Sequence, residues 1–211
     1  MYIPKANEET RLEVLHDLIE AHPLASLVTM GQSGLFASHL PMVLERESAT
    51  RGLLKGHLSR ANQQWRDFQP SVEALAIFSG PEHYITPSWY AEKADTGKVV
   101  PTWNYAVVHV YGTLKVIEDP TWLIEYLNAL TTVHESAFSA PWQVSDAPAG
   151  YVESLLKGIV GLELPIERIE GKWKASQNRS ERDRARVSEG LERLGTPESI
   201  AMKALVDARQ K

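Results

Sequence analysis

Amide, hydroxyl and cationic side chains recur beside aromatic residues at several places along this sequence. Rings can pack on the faces of a planar heteroaromatic ligand, amides can hydrogen-bond its edge, and lysine or arginine can neutralise a phosphate. The combination predicts a site for a planar ligand with a phosphate tail. Five segments carry it: Ser38 to Pro41, Gly56 to Trp65, His83 to Tyr90, Pro101 to Tyr105 and Gly171 to Arg179.

The densest positive charge lies between Lys172 and Arg186, where six basic residues stand against two acidic ones. The first half of this run, from Lys172 to Arg179, is rich in hydrogen-bond donors and predicts the phosphate site. The second half, from Arg182 to Arg186, is typical of a solvated helix face. A DNA backbone is the other partner that such a local charge favours.

Several catalytic motifs are absent from the sequence. It contains no cysteine, which excludes thiol nucleophiles, disulfide scaffolds and zinc ribbons. It has no Gly-x-Ser-x-Gly, no P-loop and no dinucleotide-binding glycine motif. Its seven histidines form no His-x-x-x-His pair, so we predict no metal site, and we assign no catalytic residue because no acid–base pair stands out.

The chain has 211 residues, of which 43% are hydrophobic, enough for one domain with an appendage. We predict a main domain over residues 1–179 and a C-terminal helical appendage over 180–211 packed on it. The net charge of −5 lacks the basic surplus usual in DNA-binding proteins. We predict no signal peptide and no membrane partner, and the lack of cysteine suits a reducing cytoplasm, where we expect the protein.

Short strands dominate the hydrophobic pattern, and they come mostly in adjacent pairs rather than alternating with helices. This order favours an α+β fold that is mainly β, an antiparallel six-stranded barrel with peripheral helices. An aromatic loop is predicted over residues 80–90. Strands are predicted over residues 24–30, 35–44, 51–58, 72–79, 103–118 (one strand, or two joined at Gly112) and 158–168. Helices are predicted over residues 8–21, 59–68, 120–135, 148–156, 180–194 and 198–208.

Longer motifs connect these segments into one pattern. They are Met1-Tyr2-Ile3-Pro4, Ser38-His39-Leu40-Pro41, Gly56-His57, Asn62-Gln63-Gln64-Trp65, Ser88-Trp89-Tyr90, Pro101-Thr102-Trp103-Asn104-Tyr105, Val108 to Gly112, Lys157 to Gly161 and Gly171 to Arg179. Together they resemble the PaiB family, whose members are described as FMN-binding negative transcriptional regulators. The resemblance spans residues 1 to about 194.

The resemblance implies a split β-barrel of the flavin-reductase and pyridoxamine-oxidase kind. It implies FMN as cofactor and a homodimer with ligand pockets at the subunit interface. The site residues that it implies form three groups. Lys172, Lys174, Gln177, Asn178 and Arg179 would hold the phosphate. Ser38, His39 and His57, with Asn62 and Trp65, would border the rest of the cofactor. Trp103 and Asn104 would close the site from the partner subunit.

The residues leave other functions open. A split barrel of this kind could instead be a flavin-dependent oxidoreductase, a reductase or an oxidase. It could bind haem, with His39, His57 or His109 as axial ligand. The pocket could also be an empty remnant on a structural scaffold. DNA is a further partner that the family description implies, although we find no element suited to reading base edges.

Overall fold

The computed structural model describes residues 1–48 and 50–208. The chain divides into two compact units. The first contains Met1–Leu18, Ser79–Val108 and the chain from Glu170 onward, and the second contains Ile19–Phe78 and His109–Ile169.

Two sheets contain the strands of the described chain. The larger is six-stranded, in the order β1-β10-β7-β6-β2-β3, and the smaller is four-stranded, in the order β4-β5-β9-β8. The strands are β1 (Glu8–Glu9), β2 (Leu24–Gly31), β3 (Gly34–Pro41), β4 (Val43–Glu45), β5 (Leu53–Ser59), β6 (Ala74–Ile85), β7 (Thr102–Gly112), β8 (Lys115–Ile117), β9 (Ile159–Pro165) and β10 (Arg168–Lys174).

Seven α-helices lie between or after these strands in the described residues. They are α1 (Leu12–Ala21), α2 (Gln64–Asp67), α3 (Glu92–Asp95), α4 (Pro120–Glu135), α5 (Ala149–Leu156), α6 (Glu181–Leu194) and α7 (Pro197–Ala208). None of the helices in residues 1–48 and 50–208 is long and apolar enough to cross a membrane.

The predicted fold class, an α+β protein with an antiparallel six-stranded sheet, is confirmed. Several details differ from the prediction. The predicted aromatic loop over 80–90 begins as strand, because β6 continues to Ile85. Strand β10 was not predicted. The first helix was predicted to begin at residue 8, but residues 8–9 form strand β1. The four-stranded sheet was also not predicted.

In the second unit, strands β2 and β3 form a hairpin with a two-residue turn. Gly31 pairs with Gly34, and Gly34 has φ of 107°, a conformation that favours glycine. Strand β5 pairs with β9 over seven residues, from Leu53 with Pro165 to Ser59 with Ile159. Buried residues alternate along β5, so one of its faces packs inward and the other carries Lys55 and His57.

In the first unit, helices α6 and α7 share a hydrophobic core with the end of β6. Ser180 caps α6 by accepting the Asp183 N–H, and Gly195 ends the helix in the left-handed conformation. The predicted domain boundary at residue 179 stays a prediction. The buried members of this core are Ile85, Tyr90, Ala175, Val187, Leu191, Met202 and Val206.

Candidate functional site

Strand β10 carries two lysines on one face. Side chains alternate along a strand, so Lys172 and Lys174 share a half-buried face, while Gly171 and Trp173 are buried on the other. Lys174 Nζ donates a hydrogen bond to Thr102 Oγ1 at 2.6 Å. Within the described chain, neither lysine forms an ion pair with a carboxylate. This face therefore offers an anion two ammonium groups outside any ion pair of the described chain, with Glu8 of β1 opposite Lys172 in the strand register.

Aromatic rings hold the first of these lysines in place. The Lys172 ammonium lies 5.2 Å from the centre of the Tyr105 ring and 5.8 Å from that of Tyr2. Cation–π contacts of this kind are attractive, but they leave the net charge of the ammonium in place. Lys172 is thus oriented without being neutralised.

The turn that follows β10 has an unusual backbone. Ser176 has φ of 60°, in the left-handed region that residues other than glycine seldom adopt. Asn104 Nδ2 donates to Ser176 Oγ at 2.8 Å within the same chain. Asn104 is 1% exposed, and its Oδ1 accepts no hydrogen bond from the described residues. A buried unpaired acceptor costs roughly 1–3 kcal/mol, which favours a missing donor such as a ligand hydroxyl or N–H.

The amide of Gln177 is used inside this turn. Its Oε1 accepts the Ala175 N–H at 2.7 Å, and its Nε2 donates to the Trp173 carbonyl. The side chain therefore braces the backbone just after β10. A direct contact between Gln177 and a phosphate stays a prediction, but its role in shaping the turn is visible.

Arg179 lies among carboxylates. Its guanidinium is 4.5 Å from the centre of the Tyr90 ring and 3.9 Å from a Glu92 oxygen. Arg179 and Asn178 line a depression that Glu92 and Asp183 also line. Acidic neighbours disfavour a phosphate, so the geometry favours the two lysines over this pair.

Trp103 is a partly exposed aromatic residue of the first unit. Its side chain is 46% exposed, and its indole N–H donates to Glu82 Oε2 at 3.1 Å. Its ring meets that of Tyr84 edge-on, with centres 6.0 Å apart. Exposed aromatic pairs suit protein interfaces, which agrees with its predicted place at a subunit boundary without testing it.

In the second unit, Ser38 and Asn62 are in direct contact. Asn62 Nδ2 donates to Ser38 Oγ at 2.8 Å, and Asn62 Oδ1 accepts the Gln64 N–H at 2.9 Å. His39 is exposed, with its Nδ1 3.0 Å from Ser26 Oγ. Consecutive strand residues point to opposite faces, so His39 is separated from the Ser38–Asn62 pair.

Gln64 is the most buried polar residue near this pair. It is 1% exposed, and its Nε2 lies within hydrogen-bond distance of Leu27 O, Thr29 Oγ1 and Phe36 O. Its Oε1 has no partner in the described chain. The Gln64 amide thus links helix α2 to both strands of the β2–β3 hairpin, and its Oε1 remains without a hydrogen-bond donor among the described residues.

Trp65 follows Gln64 on the short helix α2. Its indole N–H donates to the Arg60 carbonyl at 3.1 Å. The guanidinium groups of Arg60 and Arg66 lie 5.5 and 4.4 Å from its ring centre. These contacts account for the ring structurally, and its predicted contact with a cofactor stays a prediction.

His57 stands in an aromatic setting of its own. Its Nδ1 is 3.3 Å from Tyr126 Oη, and the two rings meet edge-on at 5.6 Å. Tyr126 stacks on Trp122 at 5.4 Å, and the Trp122 indole N–H donates to Glu163 Oε1 at 2.8 Å. Burial lowers the pKa of His57 and raises that of Tyr126, so both rings are neutral near pH 7.

The residues that position His57 were not predicted as functional. Trp122 and Tyr126 are four apart on α4 and therefore share a helix face, as Lys55 and His57 share a strand face. Lys55 Nζ lies 5.6 Å from the Trp122 ring centre. The matched i,i+4 and i,i+2 spacings were visible in the sequence, but nothing in it showed that α4 lies beside β5.

Comparison with known protein families gives the broader setting. A family model described as "Putative FMN-binding domain" matches residues 1–168. The chain belongs to this FMN-binding family. FMN is the cofactor that the family model describes, and the resemblance to PaiB proteins is confirmed by a full-length relative.

That relative is "Protease synthase and sporulation protein PAI 2" of Bacillus subtilis, which is 33% identical over 100% of this chain and 99% of its own. An uncharacterised protein of Emericella nidulans, AN0679, is 36% identical over 99% of this chain and 97% of its own. The solved "FAD and Heme binding protein" from Mycobacterium smegmatis has a TM-score of 0.58 at 17% identity. It covers 80% of this chain and 73% of its own, and this likeness concerns the fold.

The residues of the first unit fit FMN chemically. A phosphate needs cations, and Lys172 and Lys174 are available to it because neither forms an ion pair within the described residues. The ribityl hydroxyls and ring N–H of a flavin need acceptors, and Asn104 Oδ1 is a buried acceptor without a partner. The described residues contain no group of three or more His, Asp or Glu that could hold a metal ion.

Proposed function

We propose that this FMN-binding split-barrel protein is a negative regulator of transcription, with the FMN phosphate bound by Lys172 and Lys174. The observation that carries the binding proposal is the pair of lysines on one face of β10 without a carboxylate partner. The regulatory proposal is supported by the relative named for protease synthase and sporulation, which matches the chain from end to end.

The chain's own residues have distinct parts in this proposal. Thr102 orients Lys174, and the Tyr2 and Tyr105 rings orient Lys172. Asn104 offers its unpaired Oδ1 to a flavin hydroxyl or N–H. The bound flavin would supply one- or two-electron redox chemistry, and the protein would position it. Ser38, His39, His57, Asn62 and Trp65 remain candidates for the rest of the cofactor.

Equilibrium titration with FMN tests the binding site. Charge-assisted hydrogen bonds are worth about 1.5–3 kcal/mol each, so replacing both lysines in Lys172→Ala/Lys174→Ala should weaken FMN binding by about 2–4 kcal/mol. Lys115→Ala is the matched control, because Lys115 is an exposed strand lysine of the smaller sheet. Equal FMN affinity of wild type and double variant would refute the placement.

The regulatory proposal has its own test. A ligand can change DNA affinity only by its differential affinity for two states of the protein. We expect the purified protein to retard fragments from upstream of the genes beside its own, at modest salt, and FMN to change the midpoint of that shift. Absence of any shift, with and without FMN, would contradict the DNA half and leave the FMN site standing.

A flavin-dependent oxidoreductase is the second candidate, and His57 favours it. A neutral imidazole that faces an apolar cavity could hydrogen-bond an organic substrate. FMN-loaded protein would then oxidise NADH or NADPH steadily with an added acceptor. A complete lack of turnover with both nicotinamides would count against this candidate.

Haem binding is the third candidate. It requires a Soret band after addition of haem, and this band must be lost when His39, His57 or His109 is replaced by Ala.

A further inference from the structure

A cavity of about 430 Å³ lies in the second unit, outside the residues proposed to hold the FMN phosphate. Its walls come from five segments: strand β5, helix α4, the chain before α5, helix α5 and the start of β9. We call it the α4–α5 cavity. Leu127, Val144, Val152, Leu156 and Ile159 are among the side chains that line it. Its size falls within the range of about 300–1,000 Å³ that small-molecule sites occupy.

The lining of the α4–α5 cavity is almost wholly apolar. The polar side chains on its wall belong to His57, Thr131 and Tyr151, with the indole of Trp142 at the same wall. None of its lining residues is an Asp, Glu, Lys or Arg. A charged group would have to leave water there without a counter-charge, which is costly. The lining therefore selects an uncharged molecule.

Among the polar groups of this wall, His57 is held in its orientation by residues outside the cavity. Tyr126 bonds its Nδ1, Trp122 stacks on Tyr126, and Glu163 accepts the Trp122 indole N–H. Within the described chain, Nε2 of His57 makes no hydrogen bond. The imidazole is thus oriented through one nitrogen and keeps the other for a partner in the cavity.

The mouth of the cavity is also apolar. Leu155 is 54% exposed, Tyr151 59% and Trp142 45%, and the backbone N–H of Trp142 donates a hydrogen bond to Glu135 Oε2 at 3.0 Å. Contiguous exposed apolar residues commonly mark a binding site. These residues border a cavity that has depth and one oriented hydrogen-bonding group. A small organic ligand can fill such a cavity, whereas a protein partner with a flat surface cannot.

We infer that the α4–α5 cavity binds an uncharged, largely apolar organic molecule with a single hydrogen-bonding group that faces His57. The inference does not rest on the proposed FMN site, whose lysines belong to the first unit. Such a ligand would be a substrate or an effector, and both require the same cavity.

The probe for the experiment is 2-naphthol, an uncharged bicyclic molecule with one hydroxyl that can donate and accept. Calorimetric or fluorescence titration should show saturable binding to the full-length wild-type protein. The carboxylate 2-naphthoate, of similar shape, should bind at least about tenfold more weakly, because its charge cannot be compensated in the cavity. No saturable binding of 2-naphthol up to its solubility limit would overturn the inference.

Two variants locate the probe. Leu155→Trp places a larger ring at the mouth and should weaken 2-naphthol binding at least about tenfold. Leu194→Trp is its matched control, because Leu194 is 51% exposed but lies on α6. Equal affinities of the two variants would place the probe elsewhere. Both substitutions are at exposed positions, so each variant should fold.

The hydrogen bond is tested with His57→Phe, which keeps the wall apolar and removes the ring nitrogens. Its affinity for 2-naphthol should fall at least about fivefold, while its affinity for naphthalene should stay unchanged. Loss of both ligands, or of neither, would contradict the assigned role of His57.

A last pair of controls separates this cavity from other occupants. Saturating FMN should leave 2-naphthol affinity unchanged, and displacement would mean that the cavity is part of the flavin site. The affinity should also be independent of protein concentration. A loss of binding as subunits associate would mean that a second copy of the chain covers the mouth.

Discussion

At the residue scale, the chemistry depends on which polar atoms lack partners rather than on which residues are polar. Lys172 and Arg179 both belong to the basic run and both lie near an aromatic ring, yet Arg179 also forms an ion pair with Glu92, whereas Lys172 forms none within the described residues. Composition cannot separate the two, because the partners come from β7 and α3, which are distant in sequence. The same holds for Asn104, whose unpaired Oδ1 is visible only once its burial is known.

The first prediction at this scale concerns the contribution of His57 to the pH dependence of stability. Burial lowers its pKa in the folded protein, and Tyr126 is the titratable group in contact with it. The unfolded chain therefore takes up this proton first, so the contribution of His57 to stability is complete above about pH 6.5 and falls as the pH drops towards the folded-state pKa. Urea unfolding from pH 7.5 to 5 should show this loss.

The matched variant for that prediction is His57→Gln, which cannot take up the proton. Its free energy of unfolding should change less between pH 7.5 and 5 than that of the wild type. The pKa of His22 is also lowered by burial, so part of the slope should remain, and His22→Gln is the second control. Parallel slopes for wild type and His57→Gln would show that His57 does not carry the effect.

At the element scale, the sequence predicts a strand well when glycine or proline residues mark its end. It fails where a strand continues through such residues. The β2–β3 turn and helix α4, which begins with Asp119 as cap and Pro120 in its first turn, follow the sequence rules. Strand β6 passes through Gly80 and Pro81, which predicted a loop. A Cβ at Gly80 would come within 2.8 Å of the Leu18 side chain, so this glycine permits close packing instead of a turn.

Gly161 of β9 makes the prediction at the element scale. A Cβ there would overlap the Trp122 ring, which lies against the strand. Gly161→Ala should destabilise the protein by about 1–3 kcal/mol through this overpacking and shift Trp122 away from its stack with Tyr126. Denaturant unfolding measures the first effect, and the change in tryptophan fluorescence measures the second.

Gly150→Ala is the control, because a Cβ at Gly150 meets no atom within 4 Å and the residue lies in α5. Alanine has the higher helix propensity, so this variant should be neutral or more stable by up to about 1 kcal/mol. If both glycine variants lost the same stability, the contact with Trp122 would not be the cause.

At the scale of the whole molecule, the family predicts a homodimer, and the exposed Trp103 is its proposed anchor. If Trp103 lies in the subunit interface, Trp103→Ala should raise the dimer dissociation constant by at least about 30-fold, which corresponds to 2 kcal/mol for an interface hot spot. Sedimentation velocity over a dilution series measures this constant. Trp142→Ala is the control, because Trp142 is 45% exposed, close to the 46% of Trp103. A weaker dimer with Trp142→Ala alone would move the interface to the mouth of the α4–α5 cavity.

The fold class and the family could be predicted from the sequence, because long motifs and paired strands are local features. The details of the site could not. Lys174 meets Thr102 across 72 residues, and Asn104 meets Ser176 across the same separation, so only the folded chain brings them together. The basic run predicted a phosphate site, but only the pairing of its members with rings or carboxylates shows which residues are free to serve it.

The absorption spectrum of the protein, purified without added cofactor and again after incubation with FMN and gel filtration, tests the central claim most directly. We predict that wild type and Lys115→Ala retain a flavin band at about 450 nm, and that Lys172→Ala/Lys174→Ala elutes without it. Retention by all three would contradict the assignment of the phosphate to β10. A colourless wild type after incubation with FMN would contradict the account of this chain as a flavin-binding protein.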